Sequence, residues 1–120
     1  MRTRPISNGM RFNLKSTNLD ASQSLNEYIE TKLGKLEKLL KRMEQSQEFL
    51  INVEVARTTK HHKKGDIYRA EANLDIGKNV IRAESESSDI HIAINEVCRE
   101  LEREVIKFKE KLQPKRQKVR

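Results

Sequence analysis

The chain has 120 residues, 36% of them charged and 4% aromatic, with a net charge of +7 and a single cysteine. That length suits one small domain whose core must come from Leu, Ile and Val. No apolar run approaches the roughly 18 residues of a membrane span, one cysteine excludes an internal disulfide or a cysteine-clustered metal site, and "MRTRPISNG" lacks a secretory apolar segment. A cytoplasmic protein that neither spans nor binds a membrane is expected.

The charge is unevenly placed. Residues 1–9 carry +2, residues 57–66 carry +3 and residues 113–120 carry +4, so everything between them sums to −2. A slightly acidic fold with basic ends and one basic loop suits a polyanionic partner better than it suits general solubility.

In chain order, "MRFNLK" alternates Met10, Phe12 and Leu14 with polar residues, the two-residue period of a half-buried strand. "STNLDAS" reads as a turn into a helix, with Ser22 the expected N-cap and Asp20 the alternative. Leu25, Ile29, Leu33, Leu36, Leu40 and Met43 then form an amphipathic stripe, with Gly34 opposite it. "EFLINVEVA" alternates again. "RTTKHHKKGD" has no period and reads as a loop. "IYRAEANLDI", a "GKN" turn and "VIRAESES" make a hairpin. Ser88 or Asp89 can cap a second helix whose stripe is Ile90, Ile94, Val97, Leu101, Val105, Phe108 and Leu112. Pro114 ends regular structure, which leaves residues 113–120 as a basic C-terminal tail, residues 1–9 as an N-terminal extension and 10–112 as the folded α+β domain. The order β-α-β-β-β-α then predicts a four-stranded sheet with two parallel helices on one face.

Projection at about 100° per residue separates the charges of the first helix. Lys35, Lys38 and Arg42 flank the apolar stripe, Lys32 lies at its edge, and Glu27, Glu30, Glu37 and Glu44 fall on the other side with only Lys41 among them. A merely solvated face would mix the signs for i,i+4 support. On the second helix Arg99, Arg103, Lys107 and Lys111 form an i,i+4 ridge, although Glu96, Glu100 and Glu104 each precede a base by three residues. Both strips fall on the same rotational side, so parallel helices would present them as a stepped surface suited to phosphates. With few aromatics available for stacking, structured RNA is the expected partner. Lys60, Lys63 and Lys64 in the basic loop are further phosphate candidates. Adjacent His61 and His62 lack the companions of a metal site, and Cys98 at the stripe's edge reads as a small core side chain. No catalytic constellation or Gly-rich phosphate loop is present, so no enzyme activity, cofactor or small-molecule substrate is expected.

"NLKSTNLDASQSLNEYIETKLGKLEKLL" and "SSDIHIAINEVCRELEREVIKFKEKL", the latter with Asp89, Ala93, Ile94 and Asn95, resemble the first strand and the two helices of the ribosome hibernation-promoting factor and ribosome-associated inhibitor family. The resemblance implies a fold related to double-stranded-RNA-binding domains. It also implies binding to rRNA in the decoding region of the small ribosomal subunit, and inhibition of translation under stress or in stationary phase by exclusion of transfer and messenger RNA. The family's rRNA-contacting bases map to Lys32 and Lys35 and to Arg103, Lys107, Lys109 and Lys111. The chain departs from the family at His91, where an aromatic is usual, at Ser16, where Gly is frequent, and in its first nine residues. Ending eight residues after Leu112, it resembles a short form without the dimerisation domain of long members. The competing readings are a free-standing double-stranded-RNA binder and a protein-interaction modulator of transcription.

Overall fold

A computed structural model of the chain describes residues 2–7, 10–20, 22–41, 49–58, 65, 67–76 and 78–112. Arg42, Met43, the loop bases Lys60, Lys63 and Lys64, His61 and His62, and the basic tail lie outside the described residues. The elements are β1 (Arg2–Ser7), β2 (Met10–Thr17), α1 (Gln23–Lys41), β3 (Phe49–Thr58), β4 (Ile67–Ile76), β5 (Asn79–Ser87) and α2 (Ile90–Leu112).

The four expected strands and two helices are present in the expected order. β2 and β3 are parallel, and β3, β4 and β5 are successively antiparallel. The crossover between β2 and β3 contains α1, and α2 follows β5, so the two helices run in the same direction. β4 and β5 pair up to Ile76↔Asn79, leaving two residues between the strands. Residues 2–7 add a fifth strand to the sheet. It lies antiparallel to β2, with a register shift between Pro5 and Ser7. Proline has no N–H for a ladder, and an edge strand is where a sheet tolerates it.

The helix starts follow the side chains that cap them. Ser22 Oγ accepts from the Leu25 N–H at 3.1 Å, which makes Ser22, not Asp20, the cap of α1. Asp89 Oδ1 accepts from the His91 N–H at 2.8 Å and caps α2. That bond, ahead of an opposing desolvation, holds the Asp89 carboxyl below its ordinary pKa. Asn18 takes a positive φ of 56° between β2 and α1, a conformation Asn adopts more readily than most residues.

One hydrophobic core joins the two helix stripes to the inner face of the sheet, with Phe12, Ile51, Leu74, Ile29, Leu36 and Leu101 almost fully enclosed. α2 approaches β4 and β5 closely, because Ala70, Ala72 and Ala83 beneath it project only a methyl group each. Cys98 belongs to this core. Burial pushes its thiol up to about 11, Glu102 adding to the shift and Lys32 opposing it, so it is held as an unreactive thiol.

The outer face of the sheet is polar and carries cross-strand pairs. The register sets Asn13, Asn52 and Asn73 in one cross-strand row and Lys15, Glu54, Glu71 and Glu84 in the next. Asn13 Nδ2 donates to Asn52 Oδ1 at 2.8 Å, and Thr17 Oγ1 donates to Glu54 at 3.2 Å. Glu71, only 12% exposed, is clamped between Arg69 at 3.1 Å and Arg82 at 2.5 Å, and Arg69 also bonds Glu84.

Candidate nucleic-acid interface

The helical face is built differently. α1 turns its basic flank towards α2, and the two helices enclose a groove of about 200 Å³ lined by Lys32 and Lys35 on one side and Asn95, Cys98, Arg99 and Glu102 on the other. The expected stepped surface is thus, at this point, a cleft. Helix periodicity explains the lining: Asn95, Cys98 and Glu102 recur at three- and four-residue steps, so one row of α2 faces α1. The Tyr28 hydroxyl donates to Asn95 Oδ1 at 2.8 Å across the cleft, fixing the relative setting of the helices. The Lys32 ammonium lies 5.4 Å from the centre of the Tyr28 ring, a cation–π contact that holds it near the groove.

The cations divide into two groups. Arg103 donates to Glu100 at 2.7 Å, and Lys107 lies 3.6 Å from Glu104, both as i,i+3 pairs. Lys35, Lys38, Arg99, Lys109 and Lys111 have no ion pair among the described residues. Of these, Lys35 and Arg99 share the groove with Lys32. Lys38 stands exposed on α1 and Lys111 on α2, while Lys109 is half-buried. Each i,i+4 step along the α2 ridge advances about 40° around the helix, so Lys107 and Lys111 wind progressively away from Arg99. They wind towards the β5 side, where Ser85 bonds Glu96, and not towards α1. The ridge is therefore not a single contact strip. Its Arg99 end belongs to the groove, and its middle is paired along the helix.

Sequence reasoning overlooked Tyr28 and named Asn95 only within the family resemblance, not as part of the site. Their polar atoms meet across two helices 67 positions apart in sequence, and no local period signals that contact. Among the described residues, no cluster of three His, Cys, Asp or Glu side chains could hold a metal ion, and no helix is long and apolar enough to cross a membrane.

Comparison with known proteins identifies the architecture. Residues 12–113 match the family described as sigma 54 modulation protein / S30EA ribosomal protein. The chain belongs to that family. It is 29% identical over 102 residues to a ribosome hibernation promoting factor of Azotobacter vinelandii, covering 85% of each chain. It is 27% identical over 109 residues to a ribosome hibernation promotion factor of Deinococcus radiodurans, of which it spans about half, 54%. Among solved structures, the N-terminal domain of Thermus thermophilus Protein Y superposes with a TM-score of 0.65 at 27% identity, over 80% of this chain and 94% of that one.

Proposed function

We propose that the chain is a ribosome hibernation factor whose helical face binds rRNA of the small ribosomal subunit in the decoding region, and so keeps transfer and messenger RNA out. The observation that carries this reading is the groove, where Lys32, Lys35 and Arg99 converge and neither Lys35 nor Arg99 has an ion pair among the described residues. An unpaired cation gains a phosphate contact without first giving up an internal one. Family membership supplies the ribosomal context. Lys38, Lys109 and Lys111 extend the same face as outlying phosphate contacts, and Arg103 and Lys107 join once released from their glutamates. Inhibition is steric: the groove positions cations and holds the Cys98 thiol protonated, which suits occupation of space and not a chemical step.

Two experiments test this. Sedimentation of the protein with isolated small subunits and, separately, with a plain RNA duplex distinguishes the reading from a free-standing duplex binder; preferential co-sedimentation with the subunit is expected. Toeprinting with the protein added before or after messenger and initiator transfer RNA tests the mechanism. Pre-bound initiator should blunt inhibition, and the rRNA should stay uncut. Equal inhibition in both orders at equal occupancy would overturn the steric mechanism.

A further inference from the structure

The α2 row that lines the groove does not end at Asn95. One turn earlier the same row carries His91, whose ring meets Tyr28 edge-to-face with centroids 4.6 Å apart. Tyr28 in turn bonds Asn95 and lies under the Lys32 ammonium, so a continuous chain of contacts joins His91 to the groove wall. The side chain is 52% exposed, and its Nδ1 is 3.4 Å from the Asp89 carboxylate. Histidine is the side chain whose charge ordinarily changes between about pH 5 and pH 8, and this ring is open to solvent.

We propose that His91 is a further phosphodiester-contacting residue of the groove, and that its protonation strengthens RNA binding there. This rests on the helical face being the RNA-binding surface. The ring takes its proton from solvent and becomes a cation against Tyr28, one helical turn from the Asn95 that lines the groove. The charged groups about the ring are Asp89, at the start of its own helix, and Lys32, beyond Tyr28 on α1. An RNA phosphate beside the ring adds negative charge there and favours its protonated form. Linkage makes the effect reciprocal: if the protonated form binds RNA more tightly by some factor, bound RNA raises the proton affinity of His91 by the same factor. The Asp89 cap does not depend on the ring, because it is bonded to the His91 backbone N–H. Side-chain variants therefore keep the helix start.

The test uses the full chain, purified small subunits and a short RNA duplex, with affinities measured at pH 6 and pH 8 and constant salt. The parent should bind both RNAs several-fold more tightly at pH 6 than at pH 8. His91→Gln should lose part of that pH dependence, His61 and His62 among the loop lysines keeping the rest, and His91→Lys should bind as tightly at pH 8 as at pH 6. NMR titration of the His91 ring, assigned by its absence in His91→Gln, should move to higher pH when the duplex is added. Retention of the parent's full pH dependence by His91→Gln, or a His91 titration unmoved by saturating duplex, would overturn the proposal. Loss of preference for the small subunit, with the duplex-induced shift intact, would instead overturn the ribosomal reading and leave His91 as an RNA contact.

Discussion

The two faces of this domain carry similar residues and use them differently. On the outer face of the sheet, Arg69 and Arg82 are engaged by Glu71 and Glu84, and Asn13 by Asn52. On the helical face, Lys35 and Arg99 stand beside a groove with no ion pair among the described residues. Cross-strand pairs satisfy charges within the sheet and fix its register. The helical flanks leave Lys35 and Arg99 without an ion pair among the described residues, as the proposed RNA contacts require. Charge alone does not mark a binding surface; charge without an internal partner is the more discriminating sign.

The comparison is broken most forcefully from the helical side. Lys35→Glu combined with Arg99→Glu should weaken small-subunit binding on the order of 100-fold and lower the salt slope by about 2, because two phosphate contacts become repulsive. Both residues are exposed, so the melting temperature should hold. Arg103→Glu with Lys107→Glu should cost less, about tenfold, since each base first leaves a glutamate worth roughly 0–1 kcal/mol on an exposed helix. Binding isotherms at two or more salt concentrations check both variants.

From the sheet side the expected effect is on stability. Burial raises the Glu71 carboxyl, but hydrogen bonds and the charges of Arg82 and Arg69 outweigh it, and its pKa in the folded protein lies below the ordinary value. The stability this contributes is complete above the unfolded pKa of about 4.3 and is lost as pH falls through the lower folded value. Glu71→Gln should therefore destabilise by about 1 kcal/mol at pH 7, with the arginine partners partly exposed and screened. The difference from the parent should vanish in acid melts, and RNA binding should be unchanged. The smallest effect is at Gly34 on α1, where an added methyl would meet no atom within 4 Å. Gly34→Ala should stabilise by about 1 kcal/mol through helix propensity alone and leave binding as it was.

Much of the fold was legible because its signals are local. The two-residue period of "EFLINVEVA" and the three- and four-residue stripe from Ile90 to Phe108 each state which face is buried, and that is where the core lies. β1 was not legible: "RTRPIS" has no apolar alternation and contains a proline, and the strand arises from pairing with β2 along an edge. At the site, the residue type of each cation was readable but its pairing was not. Glu100 and Glu104 preceding Arg103 and Lys107 hinted at i,i+3 bonds, which the structure contains. The sequence placed Lys35 and Arg99 on one surface, but no spacing showed that they line a common groove, because that depends on how the two helices pack on the sheet.

The contrast between the faces is tested most directly by sedimentation of three proteins with isolated small subunits at near-physiological salt: the parent, Lys35→Glu/Arg99→Glu, and Lys15→Glu/Glu71→Gln on the sheet. The parent and the sheet variant should appear in the subunit pellet, and the groove variant should stay in the supernatant while melting as the parent does. A groove variant that pellets as fully as the parent, or a folded sheet variant that fails to pellet, would contradict the assignment of RNA binding to the helical groove.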